Sequence, residues 1–338
     1  MKRWAKIVTS GALVVAIGIG GYAYSIYRPV VDTIESIYEP LQSDVAVESD
    51  DPAAQGGSLV ASVGNAGAQQ AAKELPADLS ETKPFNLLVL GVDERENDVG
   101  RSDAIMMLAV NPQKRSVLMF NIPRDTRTEI AGRGTVDKIN HAYAFGGVNM
   151  SVNTIEQFLG VPVDYYLKVN MEGLARIIDI LGGVTVNNPF EFDFEGIDYK
   201  KGLIDMNGHE ALMYSRMRYD DPKGDIGRND RQQLVLSALI EKGKNISNLT
   251  KVNLLLDTVK ENVKTNLTKD DMMDIVIKYR TEIDSVDKDE VEGSDKTIDG
   301  IYYYIVNDAE KTRIRTKLTN QLQNGNSQGN GGAGGNGG

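Results

Sequence analysis

Runs of apolar residues bounded by polar, turn-forming residues mark this chain at several places and predict buried strands. The predicted strands are residues 85–92, 105–110, 116–121, 163–169, 184–186 and 301–306. Residues 111–115, which include Pro112, separate the second run from the third and predict a hairpin turn. Several short strands with polar connections are therefore expected.

Apolar residues three and four positions apart predict helices between these strands. Leu174, Ile177 and Ile178 share one face of a helix that Asn170 can cap and that Gly182 can end. Further helices are expected at residues 152–159, 207–216, 229–242, 250–280 and 308–322. Strands that alternate with helices predict an α/β layered domain.

The N-terminal segment has the pattern of a membrane anchor. Residues 7–27 carry no charge and follow three basic residues within residues 1–6. As a helix this stretch would be about 31 Å long, which is enough to cross a bilayer core. The basic flank predicts a cytoplasmic N-terminus and an extracytoplasmic body, as in a single-pass type II protein of the cell membrane. Cleavage as a signal peptide near Ala23 is the alternative, and it also places the body outside.

Two stretches rich in polar and small residues separate the rest of the chain into a folded body and its flanking segments. Residues 28–83 are expected to form an extracytoplasmic spacer, and residues 323–338, which are mostly Gly and Asn, a disordered tail. Residues 84–245 are predicted to be the catalytic domain, with residues 246–322 as a helical extension packed on it. Residues 281–299 hold eight acids and two lysines and predict a solvated loop.

Charge and composition exclude several classes of protein. The formal net charge is −11, so a broad basic surface for nucleic acid is not expected. The chain has no cysteine and two histidines, which excludes disulfides, thiolate zinc sites, cysteine nucleophiles and histidine-rich metal centres. Any chemistry must therefore come from carboxylates, hydroxyls and cations.

Two aspartates lie at the ends of neighbouring predicted strands. Asp93 directly follows the first strand, and Asp103 opens the second. Their carboxylates can converge on one hard cation, since Mg²⁺ accepts one or two carboxylates and takes its other ligands from water and phosphate. The alternative is that both are ordinary loop acids or helix caps.

Cationic residues recur at predicted strand ends and helix starts. Arg124 follows the third strand with Asp125, and Lys138 lies in the next polar loop. The later positions are Arg216, Arg218, Arg228, Arg231 and Gln232. The last three share a face in the predicted first turn of the helix at 229–242, where the helix dipole favours an anion. Surface salt bridges with nearby aspartates are the alternative.

A carboxylate pair with several arginines and a lysine suits a di- or polyphosphate ester, because phosphoryl transfer depends on positioning and on charge neutralisation. Outside the membrane, such a substrate is expected to be a lipid-linked pyrophosphate. The apolar faces at residues 170–181 and 231–240 could enclose its lipid chain, or they could be plain core.

The ordered motifs resemble those of the LytR–CpsA–Psr family of bacterial cell-wall enzymes. They are NLLVLGVD at 86–93, RSDAIM at 101–106, NIPRD at 121–125, DKINHAYAFGG at 137–147, VDYYLKVNMEG at 163–173, IDILGGV at 178–184 and the Arg-rich block at 210–233. The resemblance implies a three-layer α/β sandwich around a mixed sheet, with a hydrophobic pocket for a polyprenyl tail. It also implies transfer of an anionic glycopolymer, such as wall teichoic acid, from a polyprenyl-pyrophosphate carrier to peptidoglycan.

Residue roles follow from the same resemblance. Asp93 and Asp103 match the carboxylates associated with Mg²⁺, for which Mn²⁺ is a possible substitute. The residues that match the pyrophosphate-contacting set are Arg101, Arg124, Lys138, Arg216, Arg218, Arg228 and Gln232. Arg231 lies in the same block and is assigned to it. Arg101, Arg124 and Asp125 are expected to be catalytic, and the general base stays open between Asp125 and Asp225.

Two other functions remain open at this point. The same site would suit a polyprenyl-pyrophosphate hydrolase that uses water as its nucleophile. A non-catalytic membrane-anchored regulator of the cell envelope is the other alternative, although a complete set of site residues argues against it.

Overall fold

The computed structural model describes residues 28–42, 78–94, 98–218, 220–244, 252–279 and 282–323. Its strands are β1 (Phe85–Val92), β2 (Ser102–Asn111), β3 (Ser116–Asn121), β4 (Arg127–Ile130), β5 (Thr135–Lys138), β6 (Tyr165–Asn170), β7 (Val184–Asn188), β8 (Phe192–Phe194), β9 (Ile197–Tyr199), β10 (Gly202–Met206), β11 (Val263–Thr265), β12 (Ser285–Glu290), β13 (Ser294–Ile298) and β14 (Ile301–Ile305).

The helices are α1 (residues 28–37), α2 (His141–Leu159), α3 (Met171–Ile180), α4 (Gly208–Arg216), α5 (Asp225–Lys244), α6 (Val252–Asn262), α7 (Lys269–Asp274) and α8 (Asp308–Leu322). A 3₁₀ turn lies at Leu79–Glu81, and a π-helical turn at Ile275–Tyr279 continues α7. As predicted, the side chain of Asn170 caps α3 by accepting a hydrogen bond from the backbone N–H of Glu172.

The central sheet has six strands in the order β11-β6-β1-β2-β3-β12. It is mixed, because β1 pairs in parallel with β6 and β3 in parallel with β12, whereas the other pairs are antiparallel. The ends of β1, β3, β6 and β12 therefore meet the start of β2 at one edge. Residues that follow or open these strands are brought together there.

Alternation along β1 and β2 explains the layering of the domain. Leu88 and Met107 point to one face, where they pack with residues of α2 and α8. Val89 and Met106 point to the other face, where Leu236 of α5 packs against the same core. Since successive side chains of a strand point to opposite faces, these two strands are apolar on both sides. The result is the α/β fold with a mixed sheet that the sequence predicts.

The prediction of a solvated loop at residues 281–299 is wrong. Residues of β12 pair with β3 from Ser285↔Ser116 to Glu290↔Asn121, and β13 forms a hairpin with β14. Acidic residues are compatible with β12 because it is an exposed edge strand, where charged side chains discourage pairing with other chains. The segment after residue 246 is thus not purely helical, and β11 and β12 extend the central sheet on both sides.

The two ends of the predicted spacer, 28–83, also belong to the folded body. Tyr38 bridges to Thr265 of β11, and the hydroxyl of Tyr166 donates to the backbone oxygen of Glu39 at 2.8 Å. Leu79 is fully buried in the core on the α5 side. Only the middle of the spacer, residues 43–77, lies outside the described residues.

The predicted anchor at 7–27, the cytoplasmic segment 1–6 and the tail beyond residue 323 lie outside the described residues. Among the helices that the structure does describe, none is both long enough and apolar enough to cross a bilayer.

Candidate active site

The polar site lies at the edge of the sheet where β1 and β3 end and β2 begins. Asp93 follows β1, and its backbone N–H donates to the carbonyl of Arg101 at 3.4 Å across the start of β2. The side chain of Arg101 is exposed at this edge. Asp93 and Asp103 therefore lie at the same sheet edge, as predicted, and their joint binding of one cation stays a prediction.

A chain of ion pairs runs along this edge. Nη1 of Arg124 lies 2.9 Å from Oδ1 of Asp103, and Nε of Arg124 lies 3.8 Å from Oδ2 of Asp125. Nζ of Lys138, at the end of β5, lies 2.7 Å from Oδ1 of Asp125. Since each carboxylate faces a cation, these ion pairs hold the four side chains in place.

A second pair brings α4 to the same edge. Nη2 of Arg216, the last residue of α4, lies 3.3 Å from Oδ1 of Asp93. Asn207 and Glu210 form a capping box at the start of α4, which fixes the direction of the helix toward the site. Arg218 lies two residues beyond the helix and is half-buried.

Helix α5 begins earlier than the sequence predicts. Its first residue is Asp225, so Arg228 is the fourth residue of the helix and Arg231 the seventh. The prediction that both arginines occupy the first turn is therefore wrong. The side chain of Asn121, at the end of β3, donates to the backbone oxygen of Asn229 at 2.7 Å, which ties this part of α5 to the site edge.

Arg231 does not join the cluster. Its guanidinium is 1% exposed and pairs with Asp221, which is 3% exposed. It also donates to the backbone oxygens of Tyr214, at 3.0 Å, and Met217. Because these protein groups engage Nε and both terminal nitrogens, Arg231 joins α5 to the end of α4 and is not placed to hold a pyrophosphate. Its assignment as a substrate-binding residue is corrected accordingly.

An apolar cavity of about 200 Å³ lies directly beneath the cluster. Strands β1, β2 and β6 form its floor, and α3 and α5 form its walls. Gly91 and Ala104 line it, two residues before Asp93 and one residue after Asp103. Ser215 and Gln232 bring the polar groups of α4 and α5 to the same cavity. The charged side chains of the sheet edge therefore lie beside an apolar cavity.

Several residues that were not among the predicted site residues also support this edge. Asn140 donates from its side chain to Oδ1 of Asp103 at 3.3 Å. Glu94 accepts from the hydroxyl of Tyr143 at 2.5 Å and from Nζ of Lys168 at 3.0 Å. Burial of Tyr143 is the larger cause, and its hydrogen bond to the Glu94 carboxylate the second, of a pKa for Tyr143 well above the usual value. Lys168 is the sequence feature that could have indicated this ion pair, because it is a charged residue inside the apolar run of β6.

A further pair lies at the start of α2. Nδ1 of His141 lies 2.8 Å from Oδ2 of Asp137. Burial alone would raise the pKa of Asp137, but hydrogen bonds from His141 and from the backbone of Lys138 lower it below its ordinary value. This carboxylate is thus ionised at neutral pH and fixes the turn between β5 and α2.

The donor set of the edge fits a magnesium ion. Asp93 and Asp103 are partly exposed at the same strand ends, and Mg²⁺ needs only one or two protein carboxylates when phosphate and water complete its shell. Within the described part of the chain, no three His, Cys, Asp or Glu side chains gather into a metal-binding group. A metal here would therefore depend on substrate oxygens.

Fold and site together define an α/β protein with an apolar cavity beside a cluster of arginines and aspartates. The model of the LytR_cpsA_psr family matches residues 56–320, and the chain belongs to that family. The resemblance seen in the ordered motifs is thereby confirmed.

The relatives include Polyisoprenyl-teichoic acid–peptidoglycan teichoic acid transferase TagU of Bacillus subtilis strain 168. It is 41% identical over 307 residues, which are 91% of this chain and 92% of the relative. The crystal structure of B. subtilis TagU matches with a TM-score of 0.60 at 45% identity, covering 71% of this chain and 97% of that one. A structure described as YwtF (TagT) with bound octaprenyl pyrophosphate lipid matches with a TM-score of 0.58 at 29% identity, covering 73% and 92%.

Proposed function

We propose that this protein is a membrane-anchored phosphotransferase. It moves an anionic glycopolymer, wall teichoic acid or a similar polymer, from a polyprenyl-pyrophosphate carrier to peptidoglycan. One observation carries the proposal: the cluster of Asp93, Asp103 and Arg216 lies on the rim of the apolar cavity that Gly91 and Ala104 line. A substrate with an apolar tail and a pyrophosphate head fits such a boundary.

The reaction exchanges a phosphoanhydride bond for a phosphate ester bond. A hydroxyl of a peptidoglycan sugar attacks the phosphorus that carries the polymer. A new P–O bond forms, the bond from that phosphorus to the bridging oxygen breaks, and polyprenyl phosphate leaves with the bridging oxygen. The hydroxyl proton passes to a base. The products are a polymer joined by a phosphodiester and polyprenyl phosphate.

The cations of the edge supply the electrostatic part of this catalysis. Arg101, Arg124 and Arg216 neutralise charge that develops on the phosphate oxygens, and arginine can bind two such oxygens at once. Lys138, which contacts Asp125, adds positive charge, and Arg228 of α5 is proposed to add more. Each ion pair with an aspartate keeps its arginine oriented before substrate arrives, which lowers the cost of reorganisation.

Asp125 and Asp225 are the candidates for the base. Asp125 is buried at 6% exposure next to the Arg124 and Lys138 cations, and it lies at the site edge. The side chain of Asp225 lies outside what the structure describes. We favour Asp125 because of its place at the site edge beside Arg124 and Lys138.

Asp93 and Asp103 would hold Mg²⁺, with Mn²⁺ as a possible substitute. When bound, the ion neutralises part of the pyrophosphate charge and lowers the barrier to P–O cleavage.

The location follows from the sequence and from the substrate. Residues 7–27 are proposed to anchor the chain in the cell membrane with the catalytic body outside. A polyprenyl carrier is confined to the membrane, and peptidoglycan lies beyond it. An anchored body can therefore reach both.

Mass spectrometry of lipid that co-purifies with the full-length protein tests the proposal. We expect polyprenyl phosphates or pyrophosphates, and we expect much less of them with Leu239→Trp, because Leu239 lines the cavity. Leu203→Trp is the matched control, since Leu203 is 79% exposed on β10 and lies outside the cavity lining. Absence of such lipids from the wild type, or equal amounts in Leu239→Trp, would contradict the proposal.

A further inference from the structure

Two hairpins lie beside the catalytic edge, and their exposed surface has no role in the proposed reaction as described above. They are β4–β5 and β13–β14. We propose that their shared outer surface, formed by Arg127, Glu129, Val136 and Tyr302, is the platform that binds the acceptor glycan. This inference rests on the proposed function and specifies where its second substrate sits.

The β13–β14 hairpin is joined directly to the catalytic residues. The backbone N–H of Tyr304 donates to the backbone oxygen of Asp125 at 2.9 Å, and Tyr304 forms a bridge with Thr126. Nζ of Lys138 lies 5.8 Å from the centre of the Tyr302 ring and 2.7 Å from the Asp125 carboxylate. A ligand that covers Tyr302 therefore lies next to the favoured base.

The strand register determines which side chains of β4–β5 face outward. Arg127 pairs with Lys138, and Glu129 pairs with Val136, so these four side chains lie on one face of the hairpin. Ile130 lies on the opposite face and packs with residues of α2 in a small core. Arg127, Glu129 and Val136 are thus left exposed to solvent on the side where Lys138 meets Tyr302.

The chemistry of this surface suits a neutral carbohydrate. Tyr302 is 39% exposed, so a sugar ring can stack its C–H groups on the Tyr302 ring. Asp295 accepts from the hydroxyl of Tyr302 at 2.7 Å, and Arg127 and Glu129 offer a donor and acceptors to sugar hydroxyls. Charges of both signs disfavour a polyanion here, whereas the glycan strand of peptidoglycan presents mostly hydroxyl and amide groups along its backbone.

The position relative to the cavity supports the same assignment. The cavity lies on the sheet face of Val89 and Met106, whereas Tyr304 packs in the core on the opposite face, together with Ile139. In phosphoryl transfer the attacking and leaving oxygens lie roughly in line on opposite sides of the phosphorus. If the polyprenyl phosphate leaves toward the cavity, the acceptor hydroxyl must arrive from the side of the two hairpins.

The test measures transfer by the full-length protein from a polyprenyl-pyrophosphate-linked polymer to soluble peptidoglycan glycan strands. Tyr302→Ala should raise KM for the glycan strands about tenfold, as expected when truncation removes an aromatic anchor, while KM for the donor stays unchanged. Tyr302→Phe keeps the ring and should remain within about twofold of the wild type. Thermal unfolding of each variant verifies that the fold is intact.

Phe145→Ala is the matched control, because Phe145 is an aromatic residue of similar exposure, 41%, whose ring contacts His141 and Arg133 and none of the four platform side chains. It should leave KM for the glycan unchanged. An unchanged KM for the glycan in Tyr302→Ala, or an altered KM for the donor instead, would overturn the inference. If the wild type transfers nothing, direct binding of the glycan strands decides: weaker binding by Tyr302→Ala supports the platform, and equal binding rejects it.

Discussion

The buried pair of Arg231 and Asp221 provides a sharp test of the structure, because sequence and structure give Arg231 different roles. If Arg231 contacts the pyrophosphate, it should be needed for substrate binding and not for folding. If Arg231 is instead the buried partner of Asp221, it should be needed for folding. We therefore consider Arg231→Met, which keeps the length and apolar character of the side chain and removes its charge.

The expected magnitude follows from the burial of both groups. Removing one member of a buried ion pair leaves the other charge unpaired, and this typically costs about 3–5 kcal/mol. The two backbone oxygens that Arg231 contacts, those of Tyr214 and Met217, would lose a partner as well. For a folded body of this size, such a loss lowers the melting temperature by roughly 6–20 °C.

Thermal unfolding followed by circular dichroism measures this effect. In the double variant Arg231→Met with Asp221→Leu, most of the loss should be recovered, because apolar residues often replace a buried pair without net cost. A melting temperature of Arg231→Met within about 2 °C of the wild type, together with lost binding of lipid pyrophosphate, would refute the structural role.

Two further outcomes are expected. Asp103→Asn should lower the transfer rate at least about a hundredfold and weaken the dependence on added Mg²⁺, since it removes the charge of a proposed metal ligand next to Arg124. A titration with EDTA and Mg²⁺ measures this, and an unchanged Mg²⁺ dependence would argue against Asp103 as a ligand. Arg313 lowers the pKa of Glu310, and with Lys317 it also lowers the pKa of Asp289 against the opposing effect of burial. A lowered folded-state pKa stabilises the fold above the ordinary value of about 4, and this stability is lost as the pH falls through the folded-state pKa. Arg313→Gln should therefore destabilise the protein at pH 7 and much less near pH 3 in urea unfolding, and an equal loss at both values would contradict this reading.

Much of the central fold follows from local sequence. The strand predicted at 85–92 has the bounds of β1, because its apolar run ends where Gly91 and Asp93 begin the polar edge. The hairpin of β2 and β3 follows from the turn residues at 111–115, and Asn170 identifies the start of α3. These features depend on interactions between residues close in sequence.

Long-range features could not be obtained in this way. Strand β12 lacks an apolar alternation, since most of its side chains face solvent, and only its pairing with β3 makes it a strand. Burial of Arg231 is likewise a tertiary effect, because nothing local distinguishes it from Arg228 three residues earlier. The sheet edge that unites Asp93, Asp103 and Arg124 could be predicted, since it needs only the order of strand ends.

Product analysis of a reconstituted reaction distinguishes transfer of the polymer to peptidoglycan from hydrolysis. The full-length protein is incubated with a polyprenyl-pyrophosphate-linked polymer and peptidoglycan, and both products are identified by mass spectrometry. We expect polymer linked to the glycan through a phosphodiester, with one polyprenyl phosphate released for each linkage. Free phosphorylated polymer with no linkage to peptidoglycan would contradict this expectation and would indicate a hydrolase.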